Sequence, residues 1–405
     1  MTDRFITVDS ASAQDLDDGF VVEPLINGWL VSVYIACPGL IVKKGMIEYE
    51  AAEALVETIY YGGILKSPMF PRDMVANHIS LLPDESRKTL KVQVMVDKNG
   101  YSHLNDLLVV DAKSILKLSF WQVCDNKAFP KDIQHWLIQS LECSRVLYRK
   151  RRSEISGLDD NRADRSLRKM KASALGHLVV HEIMTVTNKL LTNYCEENKL
   201  PILLWHKSIQ GSNCYVSPEY KGGKATFTSP IWRFSDFINN NVLLSHLGEG
   251  VFMEAHTKER CALLTDNLMK RKREVRQIYV DLIAEKLLSG RKVTAKQLVS
   301  LFKHSDNEHY LGSAINYLFT RRKLLLSVQL WVELITSTLS KKFNQEQTQI
   351  LCRKLRFNKA LTLQIFNQLQ SLNVVEEKGQ SKEQKLDEVM CLFKQATEVK
   401  ILSPC

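Results

Sequence analysis

Two short apolar runs, Ile6-Thr7-Val8 and Phe20-Val21-Val22, enclose Asp9-Ser10 and Asp15-Leu16-Asp17-Asp18-Gly19, so four carboxylates fall within ten residues beside a predicted strand. Asp-rich runs ordinarily form turns capped by their own side chains. Here the three charges within residues 15–18 would repel one another close to a core. A bound cation removes that cost, and hard oxygen ligands suit Mg²⁺, with Mn²⁺ as the alternative. An EF-hand is excluded, because its glycine and distal glutamate spacing is absent. Paired ions about 3.5–4 Å apart can clamp the attacking and leaving oxygens of a phosphodiester.

Outward from this cluster the first third reads as sheet and turns. Trp29-Leu30-Val31-Ser32-Val33-Tyr34-Ile35-Ala36 is a strand, with Asn27-Gly28 as a hairpin signal before it. Residues 90–96 alternate apolar and polar up to the turn Asp97-Lys98-Asn99-Gly100, and 107–111 and 114–123 continue the sheet. Residues 48–61 predict a helix. From about residue 131 helical periodicity takes over, over 133–148 and 174–194, then 231–247 after Pro230, and 257–288. Residues 205–223 read as loop. After Ser289-Gly290 the chain stays helical and polar to about 372, and Ser381-Lys382-Glu383 opens a short helix in the charged tail. The expected architecture is α+β, a mixed or antiparallel sheet flanked by helices over 1–288, with a helical accessory region over 289–405.

The chain of 405 residues carries 55 Lys+Arg against 45 Asp+Glu, a net charge of +10. That surplus favours an anionic partner, most commonly nucleic acid. No run of about 18 apolar residues occurs, which excludes a spanning helix, and the first ten residues lack the pattern of a secretion signal. Nine scattered cysteines without a CxxC pair fit neither a disulfide framework nor a zinc site, and imply reduced thiols and a cytoplasmic location. The run from Lys270 to Arg276 reads as solvated helix surface or as a contact to an RNA backbone, and Arg149-Lys150-Arg151-Arg152 as solvated helix surface. His177, His181 and His206 read as capping or core residues, and Trp29, Trp121, Trp136 and Trp331 as core.

Ile6-Thr7-Val8-Asp9 followed by Asp15-x-Asp17-Asp18-Gly19 resembles the signature of the RNB catalytic domain of ribonuclease II and ribonuclease R. Later segments are collinear with that family. Trp29 to Pro38 corresponds to a strand ending in HIADV, and Pro68-Met69-Phe70-Pro71 to PMLP. Val180-His181-Glu182-Ile183-Met184 with Asn188 resembles the VEELM helix, and Thr228-Ser229-Pro230-Ile231-Trp232-Arg233-Phe234-Ser235-Asp236 resembles TSPIRRYAD. The resemblance covers roughly residues 3–285. It implies a metal-dependent 3′→5′ exoribonuclease that releases nucleoside 5′-monophosphates from single-stranded RNA. Asp9, Asp15, Asp17 and Asp18 would be the catalytic and metal-binding carboxylates. Tyr60 or Tyr61 would stack the terminal base, Glu182 would contact a base, and Arg233 would hold a phosphate.

The chain also departs from that pattern. Tyr34 and Cys37 replace the His and Asp of HIADV, Trp232 replaces the first arginine of TSPIRRYAD, and Asn240-Asn241 stands where the family has His-Arg. Such changes suit an alternative, a degenerate RNB scaffold that holds RNA or a partner ribonuclease without cutting. A DNA-directed nuclease is a third reading. The helical 289–405 region is assigned as an accessory surface for RNA or a protein partner.

Overall fold

The computed structural model describes residues 2–61, 64–125, 127–156, 160–207, 213–216, 223–251, 257–305, 307–320 and 359–371, with 328, 330–332, 384, 387, 389 and 391 besides. The chain divides into two compact units, Met1–Arg271 and Lys272–Cys405. The boundary falls inside a helix, whereas the sequence suggested a break after residue 288.

The first unit is built on a closed five-stranded barrel. Its strands are β1 (Asp3–Val8), β2 (Asp18–Leu25), β3 (Gly28–Ala36), β6 (Ser86–Asp97) and β7 (Ser102–Leu118). Every neighbouring pair is antiparallel except β1 with β7, which run parallel from Asp3 opposite Ala112 to Val8 opposite Leu118 and close the ring. Successive strand residues point to opposite faces, and the two sets feed two cores. Ile6, Val8, Phe20, Val22, Val31 and Val33 join one, shared with helices α3 (Lys131–Ser156) and α5 (Ala172–Glu197). Phe5, Val21, Tyr34 and Ala36 join the other, shared with α1 (Ile47–Leu55), α6 (Phe234–His246) and the first turns of α7 (Lys258–Leu288). A short helix α2 (Arg72–Met74) and α4 (Asp160–Arg168) are the other α-helices among the described residues of this unit.

Three local expectations are corrected. The β2–β3 hairpin turns on Ile26-Asn27, and Gly28 already pairs with Leu25. Gly28 has φ +151° and sits so close to β6 that a Cβ would lie 2.0 Å from the Val96 carbonyl oxygen. The helix expected over 48–61 stops at Val56, whose φ of 56° is left-handed, and its end is taken over by the β-favouring run that forms β4 (Ile59–Tyr61) against β5 (Ile64–Ser67). The 205–223 loop contains an antiparallel hairpin, β8 (Leu204–Lys207) with β9 (Asn213–Val216).

Among its described residues the second unit is helical, as expected. It contains α8 (Ala295–His304), opened by a Thr294–Gln297 capping box, α9 (Glu308–Thr320) and α10 (Lys359–Ser371). Leu298, Phe302, Leu318, Trp331 and Phe366 form its core. Of the helix expected from Ser381, residues 381–383 lie outside the described residues, and 384, 387, 389 and 391 are helical. No described helix is long and apolar enough to cross a membrane.

Gly19, at the head of β2, is a packing requirement. A Cβ there would lie 2.3 Å from the Phe5 ring and 2.7 Å from the Ile6 carbonyl oxygen. Gly19→Ala is therefore expected to lower stability by ~1–3 kcal/mol through overpacking. Gly312→Ala, in α9 with nothing within 4 Å of the added methyl, should be neutral or stabilising. Calorimetric melting of both variants checks the contrast; equal melting temperatures would contradict it.

Candidate active site

The acidic loop crosses the ends of β1, β2 and β7. Asp9 continues β1, its backbone N–H donating to the Leu118 carbonyl at 2.9 Å. Mid-loop, the Leu16 N–H donates to Ser80 Oγ at 2.8 Å, and the Leu81 N–H donates to the Leu16 carbonyl at 3.0 Å. The Asp17 carbonyl receives the Ala36 N–H at 2.8 Å, which leads the chain into β2. The Lys117 ammonium, on β7, donates to the carbonyls of Ala11 and Ala13. Leu16 is buried beneath the loop. The backbone is thus held from four directions, and the carboxylates have little freedom to part.

Each carboxylate has its own surroundings. Asp9 Oδ1 accepts the Ser10 N–H. Asp15 accepts the Tyr60 hydroxyl. Asp17 Oδ1 accepts the Ile231 N–H at 2.6 Å. Asp18 opens β2 opposite Ile35. Burial, reinforced by the Asp15 charge, raises the Asp9 pKa against the pull of the Ser10 N–H and Lys117. Burial and the charges of Asp18, Asp15 and Asp236 hold Asp17 well above the usual carboxylate range. Burial and the Asp9 charge push Asp18 up to about 7, with Arg233 opposing. Burial also raises the Tyr60 phenol, and its bond to Asp15 adds to that, so Tyr60 stays a donor.

This charge-stressed donor set fits a hard divalent cation, though not as a four-carboxylate cage. Among the described residues, no three His, Cys, Asp or Glu side chains are disposed to hold one ion. Asp15 and Asp17 are engaged by Tyr60 and Ile231. Among the described residues, Asp9 and Asp18, coupled by charge, accept from no side-chain donor. Mg²⁺ is commonly held by one or two carboxylates, with waters and substrate phosphate oxygens completing its shell. The residues present therefore fit a two-carboxylate ion.

Across from the acidic loop lies the entry to α6. Residues 230–232 form a turn, and the helix begins at Phe234, later than Pro230 suggested. The turn is knitted to the segment after α1: the Thr58 N–H donates to the Trp232 carbonyl at 2.8 Å, and the Phe234 N–H to the Val56 carbonyl at 2.9 Å. Tyr60 stacks on Trp232, with ring centroids 4.8 Å apart at 28°. Tyr60, Asp15, Thr58, Phe70 and Ile231 line a cleft of about 140 Å³. The side chain of Tyr61 lies outside the described residues. Arg233 forms a fork to Asp236 (Nε–Oδ1 3.0 Å, Nη2–Oδ2 2.7 Å). Asp236 is fully buried and also accepts from Thr226 Oγ1, Ser235 Oγ and the Ser229 N–H.

Glu182 is placed differently. It lies 2% exposed on α5 in a bidentate pair with Arg151 of α3, Nη2–Oε1 at 2.5 Å and Nε–Oε2 at 2.9 Å, and no interaction joins it to the acidic loop among the described residues. This corrects the reading of 149–152 as plain surface: Arg151 pairs with Glu182, Arg149 with Asp164, and Lys150 caps the Tyr101 ring. Arg271, in the other basic run, is also internal, 5% exposed and donating to the Glu57 and Ser67 carbonyls. Trp121 is half exposed, against the expected core position. His177 stacks on Phe120, and the described cysteines form no disulfide.

The departures have structural substitutes. Tyr34 donates to Asp3 at 3.1 Å and stacks on Phe5, and Cys37 is buried with its thiol on the Ile35 carbonyl. Asn240 is fully buried with neither amide atom partnered among the described residues. Sequence reasoning missed Lys117 and the anchoring role of Asp236. A lysine one residue before the end of a strand that runs beside Asp9 carries no local signal of this kind.

The RNB domain family model matches residues 2–214, more than half of the chain. Exoribonuclease 2 of Actinobacillus succinogenes is 28% identical over 221 residues, 48% of this chain and 33% of that protein. Exoribonuclease 2 of Haemophilus ducreyi is 35% identical over 101 residues, 24% of this chain and 15% of that protein. The matches therefore span a third or less of the length of these curated relatives. Mycoplasma genitalium RNase R, solved in complex with ribose-methylated single-stranded RNA, superposes with a TM-score of 0.53 at 14% identity, covering 70% of this chain and 59% of that one. An active-site mutant of the Dss1 exoribonuclease of Candida glabrata gives 0.53 at 16% identity, covering 67% and 45%. At such identities the structural likeness shows a shared fold. With the family model spanning the barrel and the acidic loop, the chain belongs to the RNB domain family.

Proposed function

We propose that the protein is a metal-dependent exoribonuclease that shortens single-stranded RNA from its 3′ end and releases nucleoside 5′-monophosphates. The observation that carries this reading is the acidic loop itself, four carboxylates on one backbone-anchored segment, with burial and neighbouring charge penalising the ionised forms of Asp9, Asp17 and Asp18. Asp9 and Asp18 would hold Mg²⁺, which supplies Lewis-acid activation of a water and neutralises charge at the scissile phosphate. Asp17, fixed by the Ile231 N–H, keeps the loop against the α6 entry. Asp15 orients Tyr60, whose ring offers a stacking face to a terminal base. Arg233, partly exposed and already forked to Asp236, keeps a positive charge beside Asp17 and Asp18 that attracts a phosphate. Glu182, committed to Arg151, serves the packing of α3 on α5 and contacts a base only after that pair opens.

A second reading is favoured by one observation: a neutral indole, Trp232, occupies the position next to Arg233 and covers Tyr60. A scaffold that binds RNA without hydrolysing it would tolerate that loss of charge. Labelled single-stranded RNA incubated with Mg²⁺ separates the two. Stepwise shortening that falls at least 100-fold in Asp18→Asn supports the enzyme. Retained binding without shortening in either Mg²⁺ or Mn²⁺ supports the scaffold.

The charge cost has a stability consequence in metal-free protein. Asp18 titrates near 7 when folded and near 3.8 otherwise, so between those values the folded state keeps a proton that the unfolded chain has lost. Stability must then fall as pH rises through that window, by roughly 2–4 kcal/mol for Asp18 alone. Melting in EDTA from pH 5 to 8 is expected to show a declining midpoint, and Asp18→Asn should flatten the decline. A midpoint rising over that range would contradict the electrostatics.

Arg233→Ala strands the Asp236 carboxylate in the interior, and an expected loss of ~3–5 kcal/mol follows. Denaturant unfolding measures it; a loss below 1 kcal/mol would mean the fork carries no structural weight.

A further inference from the structure

Tyr60 is restrained at two points. Its hydroxyl donates to Asp15, and one face of its ring lies on Trp232. The same residue lines the cleft beside the acidic loop, together with Thr58, Phe70 and Ile231, and Trp232 is absent from that lining. The Trp232 indole covers one face of the Tyr60 ring without itself lining the cleft. Backbone bonds fix the indole in turn: the Trp232 N–H donates to the Ser229 carbonyl at 3.1 Å, and its carbonyl receives the Thr58 N–H. The indole Nε1 is buried and has no hydrogen-bond partner among the described residues. The ring is thus placed there for its flat aromatic surface, and its polar atom contributes nothing.

We infer that Trp232 is a positioning residue for nucleobase recognition, holding Tyr60 as a preset platform on which the terminal base of a single-stranded RNA stacks from the cleft side. This rests on the proposed binding of RNA at this site. Free aromatic side chains lose rotamer freedom when they stack on a ligand, and a ring already pinned at its face and hydroxyl has lost it beforehand. The family pattern that the sequence resembles puts an arginine at 232, which offers a charge in place of a broad ring. A neutral backing also leaves the platform indifferent to base identity, since stacking needs only a π-face.

The test uses the full-length chain in EDTA, so that no cleavage intervenes, and a short single-stranded RNA with 2-aminopurine at its 3′ end. Quenching of the 2-aminopurine on binding reports stacking directly. Trp232→Ala is expected to weaken binding about tenfold and to leave the bound probe less quenched. Trp232→Phe keeps a ring against Tyr60 and loses only the orphan N–H, so it should bind within about twofold of the parent. Wild-type affinity and quenching in Trp232→Ala overturn the platform role while leaving RNA binding intact. Equal losses in the Phe and Ala variants overturn it as well, since a ring would then not be what matters. A parent protein that binds no RNA removes the proposed function, and this inference falls with it.

Discussion

The hydrogen bond from the Ile231 N–H to Asp17, at 2.6 Å and across 214 residues of sequence, fastens the two halves of the site. On one side is a loop that hydrogen bonds from β3, β7 and residues 80–81 hold in place. On the other is the 230–232 turn, which precedes the start of α6 at Phe234. The later start at Phe234 leaves Trp232 and Arg233 outside the helix, free to diverge. One turns to Tyr60 and the other to Asp236. Buried charged bonds of this kind are costly to leave half made, which gives this one contact control over both aromatic and cationic elements.

Around that contact the molecule separates charge storage from charge use. Arg151 with Glu182 and Arg233 with Asp236 are forked pairs with buried carboxylates; the first joins α3 to α5, and the second is local, closing the start of α6. Arg271 does comparable work on backbone carbonyls, linking α7 to the strands that carry Tyr60. The acidic loop has neutral donors only: among the described residues no lysine or arginine forms a salt bridge with Asp9, Asp15, Asp17 or Asp18. Lys117 donates to the carbonyls of Ala11 and Ala13 rather than to a carboxylate oxygen. The loop is thus where carboxylates gather without a paired cation.

Much of this was legible in the sequence. The β-rich runs within 19–36 and the alternation in 90–96 predicted strands, and the spacing of Asp9, Asp15, Asp17 and Asp18 put four carboxylates on one short segment. Ring closure was not legible, since a parallel pairing of β1 with β7 leaves no local signature. The end of α1 was misjudged because Val56 adopts a left-handed conformation that valine rarely takes, imposed by its buried place and its bond to Phe234. Arg151 and Arg271 looked like solvent-facing charges because charge runs usually are. Only tertiary partners showed that one member of each run turns inward. The role of Trp232 needed the structure for the same reason: a missing arginine was visible, but the ring it was exchanged for had no visible neighbour.

The parallel closure of the barrel has a consequence for how the chain must assemble. β1 leaves the ribosome about a hundred residues ahead of β7, the strand that seals it, so its outer edge waits unpaired through the whole interval. Pairings of such long range are slow to form, and an open apolar strand is a hazard meanwhile. Asp3 and Arg4 at the head of β1 bring charge to that edge. The acidic loop that follows lacks one of its backbone anchors until the barrel seals, because the Asp9 amide donates to the Leu118 carbonyl. A second anchor, the Ile231 amide on Asp17, comes from a still later part of the chain.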